Sequence, residues 1–385
     1  MAKRSTDNDS TARGLLALEG DRERAAPLIA QLREGARTWE ELTQKERRIL
    51  VGAPIIEYLQ EKAHELRFDD PDAMVSLSRA ACLVADSLDF RRYGKKVVSD
   101  LRARAWAELA NAYRICDDLE QAGPAYARAR ELLHAGTQSG FLQARILELL
   151  ALYLSDLCRF PEAVELLSQS KDLYWASGDM TAFSRASLCL GLVLGYANEQ
   201  ERAIVTFLRA LRFIEPHNPL RLPVIHGLAL NLVDAGFCEA AQSIVKRSRQ
   251  LYRRSGRLNE FRLFWLEGKI AAGLKDYGLA EGKLNTARLS FVRVNQTYDA
   301  ALVSIDLALV YVRLGRHREV IWLVDEMLRT FRSLGIARAS IASLLLLRKS
   351  CEQRRPIDIL CGQIESLSKL MPELRRQGKR NPEKS

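Results

Sequence analysis

The chain has 385 residues, a formal net charge of +10, 48% hydrophobic residues and only 11 prolines; abundant Leu and Ala with few β-branched runs exclude a collagen-like, disordered or disulfide-stapled chain and favour packed helices. No apolar run approaches the roughly 20 residues a membrane-crossing helix needs. The longest, Ile341 to Leu347, is followed by Arg348 and Lys349 and reads as a core helix, so no membrane partner is expected.

Met1 to Arg13 is polar and charged with no apolar segment behind it, which predicts the absence of a secretory signal and a cytoplasmic location. The seven cysteines are scattered without a CxxC pair and predict buried, reduced thiols. Residues 1–50 read as a helical cap or small module, with two or three helices between Thr11 and Leu50. Thr38-Trp39-Glu40-Glu41 and Thr43-Gln44-Lys45-Glu46 each have the spacing of a capping box. Residues 51–100 hold a degenerate first hairpin: Ala73 and Ala80 have second-helix spacing, but Glu61 stands where a small residue belongs.

From residue 101 to 335 a repeat takes over. Small residues recur at Ala110, Ala151, Gly191, Ala229, Gly268 and Ala308, and twelve residues after each comes Ala122, Ala163, Ala203, Ala241, Ala280 or Val320. Twelve residues complete one helix, reverse the chain and begin an antiparallel partner. The small residues are then expected to face each other where two backbones approach closely. One turn further on, Tyr126, Leu167, Phe207, Val245, Leu284 and Val324 fill a core-facing slot. Asp117-Asp118, Gly195, Gly236, Asp276-Tyr277 and Gly315 are the expected reversal residues. Six helical hairpins follow. Residues 336–371 read as capping helices that close the apolar end, and 372–385 as a basic, disordered tail.

Trp106, Leu109, Ala110, Tyr113, Ala122, Tyr126 and Ala129 resemble the signature of the tetratricopeptide repeat family, in a long form of about 40 residues known from bacterial regulators. The resemblance covers residues 101 to 335. It implies an all-α, right-handed solenoid of antiparallel helix pairs, with the first helix of each pair lining a concave face. It also implies a scaffold or adaptor in regulation or signalling, including sensors that respond to a bound peptide.

No histidine lies within four residues of another, and no HExxH, GxSxG or glycine-rich phosphate loop occurs, so neither catalytic residues, metal nor cofactor is expected. His226 falls on a first helix and could contact a ligand, although a solvated or structurally hydrogen-bonded ring is the expected state. Arg104, Arg145, Arg185 and Arg262 each stand six residues before the small residue, and the resemblance places them along the groove. Guanidinium groups so stacked suit an acidic strand; the alternative is that they snorkel over ordinary helix surface. Asn111 falls at the slot where many family members bind a peptide backbone, with Arg114 one turn on, and Trp265 offers an apolar anchor. The expected partner is a protein or peptide segment, acidic and partly apolar.

Charge is unevenly placed: residues 1–72 carry 12 basic and 15 acidic side chains, whereas 312–385 carry 16 and 8. Lys246, Arg249, Arg253 and Arg257 form a basic stripe, making nucleic acid the second class of partner the sequence suits. The sequence leaves the oligomeric state open.

Overall fold

This computed structural model describes residues 2–34, 36–37, 41–50, 52–67, 69–333 and 338–369. Among them there are nineteen α-helices and no strand. The expected tail and the first of the two capping boxes lie outside the described residues. The chain divides into two compact units, Met1–Tyr153 with Ser168–Gly178, and Leu154–Leu167 with Asp179–Ser385.

The first unit begins with α1 (Ala2–Arg33), α2 (Gln44–Leu50), α3 (Ala53–Glu65), α4 (Pro71–Asp86) and the single turn α5 (Phe90–Tyr93). Among the described residues, two helices lie between Thr11 and Leu50. The second capping box forms: Thr43 N–H donates to Glu46 Oε2 at 2.8 Å and Glu46 N–H to Thr43 Oγ1 at 3.3 Å. The unit continues with α6 (Lys95–Ile115) and α7 (Leu119–His134), and takes most of α8 (Gly140–Asp156) and the C-terminal half of α9 (Phe160–Ser177). Its core runs from Leu18 and Ile56 through Val98, Ala110 and Tyr126 to Leu149.

The second unit holds α10 (Met180–Tyr196), α11 (Gln200–Leu211), α12 (Arg221–Asp234), α13 (Cys238–Arg254), α14 (Arg257–Gly273), α15 (Tyr277–Arg293), α16 (Thr297–Arg313) and α17 (His317–Ser333). It ends in α18 (Arg338–Glu352) and α19 (Ile357–Lys369). The last pair buries Leu344, Leu347, Leu360 and Ile364 in the same core as Leu307 and Val324. Most helices of the repeats run 17 residues, so long helices account for the 40-residue period.

Every small residue of the repeat is buried, as is every residue of the core-facing slot one turn into the second helix. A Cβ added to Gly191 would lie 2.5 Å from Phe207, and one added to Gly268 would lie 2.7 Å from Leu284. In these two pairs the small residue receives the large core side chain of the second helix.

The reversal between paired helices follows one recipe. Seven residues after each small residue the backbone is left-handed: Asp117, Cys158, Asn198, Gly236, Lys275 and Gly315 have φ between 56° and 85°. The next N–H then bonds back five residues, to the carbonyls of Tyr113, Leu154, Leu194, Leu232, Ala271 and Tyr311, at 2.8 to 2.9 Å. This is the Schellman closure, which satisfies a helix-end carbonyl. Gly195 is thus not a reversal residue. It lies inside α10, where a Cβ would meet Asn231 Oδ1 at 2.8 Å. Asp118, Asp179 and Asp276 cap the following helices by accepting from Gln121, Ala182 and Leu279 N–H.

Candidate functional site

Each arginine of the predicted row sits six residues before a residue that must be small, on the first helix of a pair. In the first unit the row meets a row of carboxylates. Arg22 Nε donates to Glu57 at 2.7 Å, and Arg104 lies 3.9 Å from the same glutamate. Arg145 on α8 lies 3.0 Å from Glu108 on α6 and 3.5 Å from Glu148 on its own helix. Burial alone would lower the pKa of that guanidinium, but the charges of Glu108 and Glu148 outweigh it and raise the pKa. Tyr174 O–H in turn donates to Glu148 Oε2 at 3.1 Å. Arg145 is therefore an internal ion pair, and the expectation that it presents its charge to a partner is corrected by its two glutamates.

Asn111 is buried, and its Oδ1 accepts from Arg114 Nε and Nη2 at 3.1 and 3.0 Å. The two residues singled out for a peptide backbone are thus brought together, each occupied by the other.

A cleft of about 410 Å³ is lined by α12, α14 and α16 together with Tyr277 and Leu284 of α15. Ala272, Leu284, Leu309 and Val310 supply its apolar wall, and Asp234, Lys269, Asp306 and Arg313 its charges. Lys269 Nζ lies 3.4 Å from Asp234 and 3.9 Å from Asp306. The Asp306 charge is the largest cause of its raised pKa, so the ammonium stays charged. Trp265 is half-buried beside the cleft, with Nε1–H donating to Asp306 Oδ2 at 2.6 Å and its ring edge-on to Phe291. Arg262 is exposed, held by Asn259 Oδ1 at 3.2 Å. Arg185 is half-buried on α10.

His226 on α12 is half-buried, and its Nδ1 lies 3.0 Å from Tyr252 Oη. Tyr252 is 1% exposed. If that hydroxyl donates to Nδ1, the imidazole proton sits on Nε2. Burial, followed by the charges of Arg262 and Lys269, lowers the His226 pKa to about 4 and keeps the ring neutral. The structural hydrogen bond expected of His226 is present.

The basic stripe is exposed on α13 and the start of α14. Arg249 pairs with Glu267 at 2.6 Å and Arg253 approaches Glu260 at 4.0 Å. Lys246, Arg247, Arg254 and Arg257 have no carboxylate within ion-pair distance among the described residues. No group of three potential metal ligands occurs among the described residues, and no helix there is long and apolar enough to cross a membrane.

Sequence reasoning missed Glu57, Glu108 and Glu148 as neutralising partners, and Lys269, Asp306 and Arg313 as cleft residues. Glu108 and Glu148 sit two and three residues before a small residue, so the repeat register carried their position. Only knowledge of which helices adjoin reveals their pairing.

No protein-family model matches the sequence, and no curated protein matches it. Solved structures do match. A Rap protein complexed with competence and sporulation factor superposes with a TM-score of 0.60 at 15% identity, covering 82% of this chain and 88% of that one. The apo form of RapI gives 0.59 at 12% identity over 97% and 99%. Aspartyl phosphate phosphatase F from Bacillus subtilis gives 0.55 at 14% identity over 79% of each. At these identities the likeness is one of fold. Together with the six helix pairs, it gives this chain an all-α fold of the tetratricopeptide type, with the helix-pair repeat that the sequence resembles.

Proposed function

We propose that the chain is a non-enzymatic adaptor or regulator that binds an extended protein or peptide segment on the first-helix face of its second unit. The observation that carries this reading is the cleft between α12, α14 and α16, where Leu309 and Ala272 stand beside Lys269 and Arg313. A half-apolar groove with fixed charges suits a segment of alternating acidic and apolar residues. That one structure of this fold is named as a complex with competence and sporulation factor supports a role in sensing a bound factor. The contacts proposed are Arg185, Arg262 and Trp265 from the predicted set, with Lys269, Leu309 and Arg313 added. Arg104, Asn111, Arg114 and Arg145 belong to a self-paired face and take a lesser part.

The test is binding to a panel of synthetic extended peptides that vary acidic and apolar positions, read by tryptophan fluorescence with a Trp265→Phe control. Leu309→Glu should weaken the tightest peptide at least about tenfold, as loss of a buried anchor does. Peptides that bind equally well to that variant would place the contact elsewhere.

Nucleic acid is the second reading, favoured by the uncompensated Lys246, Arg247, Arg254 and Arg257. It predicts an affinity for duplex DNA that falls steeply with salt and is lost in a Lys246→Glu, Arg247→Glu, Arg254→Glu variant. Affinity insensitive to those changes would remove it.

A further inference from the structure

Successive helices of the second unit are antiparallel, so the ends of its second helices and the starts of the next first helices fall along one edge, opposite the left-handed turns. Ring pairs tie that edge together. Phe183 near the start of α10 meets Phe213 just beyond α11, 5.6 Å between centroids, and Phe261 near the start of α14 meets Phe291 near the end of α15 at 5.7 Å. Arg221, the first residue of α12, donates to the Ile214 carbonyl at 2.8 Å.

Arg209, Arg212, Arg254, Arg257 and Arg293 of this edge are exposed and have no carboxylate within ion-pair distance among the described residues. Its carboxylates are Asp179, which caps α10, Glu260, 4.0 Å from Arg253, and Glu215 and Asp299. Helix dipoles account for part of this charge, since the last turn of a helix favours a cation. They leave two facts over. Arg257 is the first residue of α14, the helix end where a cation is disfavoured. Exposed apolar side chains also flank the arginines, in Leu208-Arg209, Arg212-Phe213, Arg257-Leu258 and Val292-Arg293-Val294, each apolar member being 38 to 48% exposed.

A nucleic-acid backbone uses only the charge of such pairs, because aliphatic side chains neither stack on bases nor bond to phosphate. An anionic bilayer uses both: its phosphates meet the guanidinium groups while the apolar side chains enter the headgroup boundary. We propose that this edge of the second unit docks on a bilayer surface rich in anionic phospholipid, with the five arginines at the headgroups and Leu208, Phe213, Leu258, Val292 and Val294 between them. The sequence expectation of no membrane partner rests on the lack of a membrane-crossing helix, which lying on a surface does not require. The cleft between α12, α14 and α16 lies towards the opposite edge, with Gly273, Lys275 and Tyr277 in its wall, so the two contacts do not compete.

The experiment is flotation of the full chain with vesicles of phosphatidylcholine alone and of phosphatidylcholine with about one-third phosphatidylglycerol. The chain should float with the anionic vesicles only, and less as salt rises. Arg254→Glu with Arg257→Glu should weaken partitioning at least about tenfold, as each arginine at an anionic surface contributes about fivefold. Leu258→Ser with Val294→Ser should weaken it at least about fivefold, and Leu208→Ser repeats that test on α11; circular dichroism and the melting temperature check that each variant is folded. Arg318→Glu, in the first turn of α17 on the opposite edge, should change it by less than about twofold.

Equal flotation with both kinds of vesicle, or none with either, overturns the proposal. So does an equal loss in Arg318→Glu, or anionic flotation that all the serine variants leave unchanged, which would reduce the edge to a charged surface. A short DNA duplex is the rival probe. If it binds, loses affinity in the glutamate variant but not in the serine variants, and no vesicle floats the chain, the arginines serve nucleic acid and the bilayer is ruled out.

Discussion

Lys275 and Cys158 hold a left-handed backbone that an L side chain adopts at a cost of about 1 kcal/mol and glycine adopts freely. Gly236 and Gly315 already solve the same problem at the same slot. Lys275→Gly should therefore stabilise the protein by about 0.5 to 1 kcal/mol, read from the urea midpoint, with no change in slope. The reverse holds where glycine yields space. Gly191→Ala sets a methyl 2.5 Å from Phe207 and should destabilise by about 1 to 3 kcal/mol despite the better helix propensity of alanine. Phe207→Leu in the same chain should recover part of that loss, whereas additive losses would mean that the ring is not the obstacle. His226 gives a third prediction. Its pKa falls from an ordinary 6.5 to about 4 on folding, so the unfolded chain binds the proton more readily between those values. Stability is fully present above pH 6.5 and declines as pH falls towards 4, by on the order of 2 kcal/mol for a half-buried ring. His226→Asn should flatten that part of the pH profile.

At the scale of the helix, α1 is fastened to α5 through one carboxylate. Asp21 accepts from Tyr93 O–H at 2.8 Å and from both Arg24 and Arg92. Burial would raise its pKa, but those hydrogen bonds and the Arg92 charge outweigh it and hold it below the usual carboxylate value. Gly14 lets the two segments meet, since a Cβ there would lie 1.8 Å from the Tyr93 carbonyl oxygen. Asp21→Asn should raise hydrogen exchange along α1 while leaving α14 and α15 unchanged; uniform loss of protection would contradict a local fastening. None of this was visible in the sequence, because Asp21 and Tyr93 are 72 residues apart and neither belongs to the repeat. The hairpins were legible for the opposite reason. A small residue, a fixed interval and a large core residue are all local, and close packing leaves few residue types that fit. The left-handed slot was hidden in plain view: its occupants, Asp, Cys, Asn, Gly, Lys and Gly, share a backbone and no chemistry. Only their common distance from the small residue identifies them.

For the molecule as a whole, helices touch chiefly their sequence neighbours, as α6 does α7, α14 does α15 and α16 does α17. Stability in such a chain is close to a sum of units and adjoining interfaces. Gly268→Ala should accordingly lower the protection of α14 to α16 and leave that of α3, α4 and α6 as it was. A single cooperative loss across both units would refute that picture. The candidate site was read only in part at this scale, since a row of arginines predicts a charged face, but whether that face is already neutralised depends on which helices adjoin.

The uniform hairpin also bears on how such a chain can change length. Because the left-handed residue recurs at one register in all six pairs, a cut after Asn198 joined to Phe237 would remove one second helix and the next first helix. The bond to Leu194 would then close the turn in place of the one to Leu232. The repeat is thus a unit of inheritance as well as of packing: recombination at this residue can add or discard a pair without designing a new turn.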